Sequence, residues 1–167
     1  STADLIIADL GVSSMQVDSP DRGFSYKEPG PLDMRMNPSQ GEPASSLLAR
    51  LSEEQLAALL TENADEPHAQ LIARLLKEKT VTTTHAAERV VRMGLTAALP
   101  TLAKAHVKMS VRRTFQALRI AVNNEFSALD ALLRWLPPCL APGGRVVMIT
   151  FHSGEDRRVK KAFQAGE

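Results

Sequence analysis

Along the 167 residues, apolar and polar positions fall into three rhythms: unbroken apolar runs, one long aperiodic stretch, and apolar residues recurring every three or four places. Around Leu5-Ile6-Ile7-Ala8 the apolar run is continuous, which predicts a strand from about Asp4 to Asp9 covered on both faces, as in a parallel sheet. Gly11 to Pro43 has no period and holds five prolines and four glycines. A loop that long inside a compact domain is uncommon and usually functional. From Ser45 to Pro100 the rhythm is helical. Ser52 and Gln55 form a capping box ahead of Leu56, Leu59 and Leu60. Pro67 is placed to open a second helix carrying Leu71, Ile72, Leu75 and Leu76. A third, from about His85 to Leu99, follows threonines able to cap it and stops at Pro100.

The longest stripe, Phe115, Leu118, Val122, Phe126, Leu129, Leu133 and Leu136, predicts a single helix opened by Ser110 and ended by Pro137 and Pro138. Gly143 and Gly144 then turn the chain into "RVVMITF", a second strand, and "SGED" from Ser153 reads as a capping box with Asp156 that starts a basic helix. Strand, loop, helical block, long helix, strand, helix is the order of an α/β fold. It predicts a doubly wound sheet interrupted by an α-helical insertion. Two strands that both read as interior do not make a stable sheet. The chain is therefore expected to be a fragment lacking flanking strands at both ends.

Composition narrows the class. Hydrophobic residues make up 44% of the chain, a globular value. No apolar run reaches the ~20 residues of a membrane helix, and no leader pattern opens the sequence. Cys139, the single cysteine, excludes an internal disulfide and fits a reducing compartment. Net charge is only +1, but its distribution is uneven. Residues 1–88 hold 14 acids and 7 bases, whereas 89–124 hold 7 bases and no acid. An acid-free stretch of 36 residues is a footprint for a polyanion, weighed against a merely solvated basic face.

Candidate chemistry begins at "DLGVSS", where the first strand breaks into a small polar turn. In open α/β sheets ligands gather beyond the carboxyl ends of strands; alone, Asp9 reads more simply as a turn former. Ser13 and Ser14 offer hydroxyls there, against the plainer role of turn-stabilising serines. Arg35 in the long loop suits a phosphate. His68, His85 and His106 lack metal-ligand spacing, so no metal site is assigned. Aromatic residues are 4% of the chain, too few for stacking on an exposed aromatic platform to dominate recognition of a polyanion.

The strings "DLGVSSMQ", "DRGFSY", "GPLDMRMN", "RTFQALRIAVNNE", "LAPGGRVVMITFHS" and "EDRRVKKAF" occur in this order. From about Asp4 to Phe163 they resemble the bacterial RsmH/MraW family, S-adenosylmethionine-dependent enzymes that methylate N4 of a cytidine in 16S ribosomal RNA. The resemblance implies a Rossmann-like class I methyltransferase sheet, incomplete here, with the inserted helical domain. Residues 1–40 and 110–167 would be methyltransferase core and 41–109 the RNA-recognition insertion. The family's glycine-rich cofactor loop would lie upstream of Ser1, so this chain alone is expected to be inactive. By the same resemblance Asp9 and Gln16 contact S-adenosylmethionine. Asp9, Ser13, Ser14 and His152 are the catalytic candidates. Arg35, Lys104, Lys108, Arg112 and Arg113 are the RNA-binding ones. The expected partner is 16S ribosomal RNA in the small subunit, in the cytoplasm, with no membrane and a homodimer left open. Gly154 stands where the family more often has leucine, which is expected to loosen the start of the last helix. A non-catalytic RNA-binding module and another doubly wound nucleotide-cofactor enzyme are the alternatives. The strand-end turn argues against the first, and the lack of a glycine-rich strand–helix turn against the second.

Overall fold

The computed structural model describes residues 2–166. They form two compact units, one spanning Ser13–Asn123 and the other built from the chain up to Val12 and from Asn124 onward.

The larger unit is helical. A single turn, α1 (Ser14–Val17), is followed by α2 (Ala44–Arg50), α3 (Glu53–Ala64), α4 (Ala69–Lys77), α5 (Thr84–Ala98) and α6 (Lys104–Val122). Helix α3 packs against α4 and α6, and α5 against α4 and α6. Leu56, Leu60, Ile72, Val91, Leu95 and Leu118 fill the centre and are fully buried. Ser52 caps α3 in the predicted box with Gln55, and the Thr83 hydroxyl caps α5 by accepting the Ala86 N–H at 3.2 Å. Pro67 does not open α4. Asp65 turns left-handed at the end of α3, the Glu66 carboxylate accepts the His68 N–H at 2.9 Å, and His68 becomes the N-cap. Pro67 lies inside this turn.

The long loop is not loose. Leu32 and Met34 are as buried as any helix residue. Two glycines let its backbone fold on itself. A Cβ at Gly30 would lie 2.1 Å from the Pro20 carbonyl oxygen, and one at Gly23 2.2 Å from that of Pro31. Gly23 also has φ of +70°, which glycine adopts without steric cost. The buried Thr84 hydroxyl donates to the Glu28 carbonyl and accepts the Gly30 N–H, both at 3.2 Å, pinning the loop to the start of α5.

The predicted single helix is two. The first begins earlier, at Lys104, and ends at Val122; α7 (Glu125–Trp135) starts after Asn124, whose φ of +50° breaks the helix. The apolar period runs on through the break, so the stripe did not reveal it.

The smaller unit contains the sheet. Strand β1 (Ala3–Asp9) pairs in parallel with β2 (Leu140–Ile149), Ile7 opposite Val147 and Asp9 opposite Ile149. Gly143 and Gly144 do not precede β2 but lie within it. The register jumps from Ala3↔Leu140 to Leu5↔Arg145, and Gly143 (φ +79°) takes up the irregularity. Side chains alternate. Ile6, Ala8, Val146 and Met148 are half-buried, while Leu5, Ile7, Val147 and Ile149 are exposed. Burial on both faces was expected; one apolar face lies open among the described residues. The chain is thus a helix-rich α/β protein with a small parallel sheet.

Helix α8 (Ser153–Ala165) packs against α7. Its N-cap is His152 rather than Ser153, and the end is closed by the Glu155 carboxylate, which accepts the Phe151 N–H at 2.8 Å. Acids in the first turn also suit the helix dipole. At Gly154 a Cβ would lie 2.6 Å from the Phe126 ring. The missing side chain therefore lets Phe126 fill the space at the start of α8, where the sequence predicted a loosening.

Candidate active site and nucleic-acid interface

Asp9 ends β1 with an exposed side chain. The Leu10 N–H still bonds to the Ile149 carbonyl at 3.2 Å, and Gly11 (φ +99°) then turns the chain away. A free carboxylate therefore stands where parallel strands splay their carboxyl ends. His152 leaves β2 at the same edge of the sheet, but its side chain is only 10% exposed. Its Nε2 lies 3.3 Å from Glu155 Oε1, and its ring centroid is 5.9 Å from that of Phe126. Glu125 joins them, one ligand atom from each of the three lying within 4.8 Å of the others. Two carboxylates and an imidazole are a donor set that fits a divalent cation. They also bring the starts of α7 and α8 to one point. Sequence spacing gave no sign of the cluster, because Glu125 is 27 residues from His152.

Ser13, Ser14 and Gln16 belong to the helical unit. Ser13 is the N-cap of α1, and its N–H donates to Gln16 Oε1 at 2.9 Å; Ser14 is the exposed first residue of the turn. The local geometry holds Gln16 in place and leaves Ser14 outward.

The neighbouring strings "DRGFSY" and "GPLDMRMN" meet the distant "RTFQALRIAVN" in this unit. Arg22 donates to the carbonyls of Arg35 and Met36 at 3.0 and 2.8 Å. Asn123 clamps the same segment, its Oδ1 accepting the Met36 N–H at 2.7 Å and its Nδ2 donating to the Met34 carbonyl at 2.8 Å. Met34 is fully buried with φ of +65°, an uncommon conformation for a side chain of its size. Tyr26 meets Phe115 edge to face at 4.8 Å. Arg35 turns inward and grips Asp33 with two bonds of 2.8 Å. The guanidinium holds the Asp33 carboxyl below the usual aspartate range. Neither Arg22 nor Asn123 was singled out from sequence; their only signal was membership of these strings.

Of the basic candidates, Lys104, Lys108 and Arg112 are spaced four apart and all exposed, a cationic stripe along α6; Arg113 beside them is half-buried.

The model of the MraW methylase family matches residues 1–167. The chain belongs to the MraW methylase family. It is 47% identical over 164 residues to ribosomal RNA small subunit methyltransferase H 2 of Alkaliphilus metalliredigens, covering 95% of this chain and 47% of that protein. It is 48% identical over 163 residues to the methyltransferase H of Halorhodospira halophila, covering 95% and 48%, and 48% identical over 170 residues to that of Anaeromyxobacter sp. strain K, covering 99% and 53%. This MraW-family chain thus spans about half the length of the curated relatives it matches.

Proposed function

We propose that this MraW-family chain is part of a cytoplasmic enzyme that transfers a methyl group from S-adenosylmethionine to N4 of a cytidine in 16S ribosomal RNA. The sheet would belong to a Rossmann-like class I methyltransferase core, and the helical block 41–109 would be its RNA-recognition insertion. The carrying observation is the exposed Asp9 carboxylate at the carboxyl end of a parallel strand, in a chain whose relatives are named as ribosomal RNA methyltransferases.

The residues fit the cofactor. An anionic side chain beside a glycine turn suits a positively charged ligand that must approach the backbone closely. Asp9 and Gln16 would hold it, and it supplies an electrophilic methyl on a sulfonium leaving group. The exocyclic amine of cytosine is a weak nucleophile because its lone pair is delocalised into the ring. A carboxylate oxygen of Asp9 accepting one N–H localises that lone pair and aims it. Positioning of this kind lowers barriers by several kcal/mol, up to ~7–11 in ideal cases. The surplus proton leaves the nitrogen after transfer, so no strong base is needed. The Ser14 hydroxyl is free to orient the base, whereas Ser13 acts through the turn it caps. His152 would support the strand end from its half-buried position, and the cationic stripe of Lys104, Lys108 and Arg112, with Arg113, would take the RNA backbone; Arg35, expected there too, is instead held by Asp33.

The test is radiolabelled methyl transfer to 16S ribosomal RNA by the full-length protein, wild type against Asp9→Asn. Activity is expected to fall by about 100-fold with an unchanged melting temperature, since Asp9 is exposed. Methyl transfer surviving the substitution would refute the assignment.

A further inference from the structure

Glu125, His152 and Glu155 meet where α7 and α8 begin, all within the smaller unit, with one ligand atom from each lying within 4.8 Å of the others. We propose that these three side chains bind one divalent transition-metal cation, with Zn²⁺ the best match and Mn²⁺ the next. The site stands apart from the ribosomal RNA reading and needs nothing from it.

The imidazole is the decisive group. Its side chain is 10% exposed, and among the described residues neither ring nitrogen makes a hydrogen bond. Polar atoms shielded in this way are nearly always paired, because burial without a partner forfeits the bonds that water would give. Nε2 nevertheless lies 3.3 Å from Glu155 Oε1, close but without the alignment of an N–H donor. A nitrogen lone pair and a carboxylate oxygen set side by side can share a positive atom. Their separation also matches the edge of a tetrahedron whose metal–ligand bonds are about 2.0–2.1 Å. Glu125 is half-buried, so its carboxylate can turn about a soft terminal torsion to complete the set and gives an ion its way in. A Cβ at Gly154 would stand 3.2 Å from His152 Nδ1; the glycine leaves the ring room to settle on the ion. The carboxylates are not idle. Glu155 accepts the Phe151 N–H through Oε2 at 2.8 Å, and Glu125 is engaged as well. Ligating carboxylates are ordinarily held by such second interactions, which orient them. Two carboxylates balance a divalent charge, and the imidazole favours a transition metal over the oxygen-seeking Mg²⁺ and Ca²⁺. The ion joins the segment leaving β2 to the first turns of both helices, and three protein ligands leave its fourth position to water.

The experiment strips the full-length protein of metal with a chelator and titrates it with Zn²⁺, Mn²⁺ or Mg²⁺, following bound metal by mass spectrometry and stability by thermal melts. Wild type is compared with Glu125→Gln and with His106→Gln, a control at an exposed histidine in the other unit. Wild type and the control should bind Zn²⁺ alike, with a melting temperature that rises with free Zn²⁺, and Mg²⁺ should not compete. Glu125→Gln is expected to weaken Zn²⁺ binding by about 100-fold or more, since losing even a residue that only supports a ligand costs about 10–100-fold. Equal Zn²⁺ affinity in a folded Glu125→Gln protein would overturn the site, as would a wild type that binds neither Zn²⁺ nor Mn²⁺. X-ray absorption of the Zn²⁺-loaded wild type decides even where the variant does not fold. A shell of nitrogen and oxygen at about 2.0–2.1 Å with one imidazole supports the site, and a sulfur shell at about 2.3 Å overturns it.

Discussion

Asn123→Ala should cost the fold about 2–4 kcal/mol, a large loss for an uncharged side chain at the end of a helix. The side chain makes three hydrogen bonds: it accepts the Met36 N–H, and donates to the carbonyls of Met34 and Arg119 at 2.8 and 2.9 Å. Alanine orphans the first two loop groups. Arg119 is less affected, because its carbonyl still accepts the Asn123 backbone N–H. An unpaired buried polar group costs about 1–3 kcal/mol. The Met34 carbonyl belongs to a fully buried residue and takes the upper part of that range, whereas Met36 is half-buried and water can replace part of its bond. Release of the left-handed Met34 returns some strain, of order 1 kcal/mol, and keeps the sum below the simple maximum. Asn123→Asp retains the acceptor toward Met36 but sets a carboxylate oxygen against the Met34 and Arg119 carbonyls, and should destabilise at least as much as alanine at neutral pH. Urea unfolding followed by circular dichroism, with the slope checked for constancy, measures all three proteins. An alanine variant within about 0.5 kcal/mol of wild type would refute the view that Asn123 organises the loop.

Gly30→Ala should destabilise by about 1–3 kcal/mol or block folding, because the added carbon meets the backbone of Pro20 and not a movable side chain; a melting curve decides. The Asp33–Arg35 pair makes stability pH-dependent. The folded Asp33 carboxyl lies below its ordinary value of 3.8, so its contribution is full above that value and disappears as pH falls through the lower, folded one. The stability difference between wild type and Asp33→Asn should thus shrink on acidification below about pH 4, and a constant difference in acid titrations would be contrary. Lys108→Glu with Arg112→Glu, both exposed on α6, should weaken binding to 16S ribosomal RNA and lower its salt slope by about 0.7–0.9 per phosphate released without shifting the melting temperature; an unaltered slope in filter binding would mean a merely solvated face.

Local physics was legible in the chain. The Ser52–Gln55 box, the threonine cap of α5 and the apolar run of β1 all follow from residues within a few places of one another, and they stand where the pattern puts them, whereas β2 begins at Leu140, ahead of the glycines expected to precede it. The acid-free stretch likewise marked the stripe on α6. What the sequence could not reveal was decided by groups far apart in the chain. The stripe that predicts one helix from Ser110 to Leu136 keeps its period through Asn124. The helix nevertheless stops where Asn123 turns its amide to a loop 87–89 residues away. The loop's proline and glycine content announced irregularity, and only the close backbone approaches at Gly23 and Gly30 and the bonds from Arg22, Thr84 and Asn123 made it part of the core. His152 was a candidate through the family resemblance, and nothing in its local sequence announced that Glu155, Glu125 and Phe126 gather around it. Capping and periodicity act over one or two turns and are written in the order of residues. Satisfying a buried carbonyl or packing a ring against a glycine depends on which distant partner the fold delivers, and no local rule names that partner.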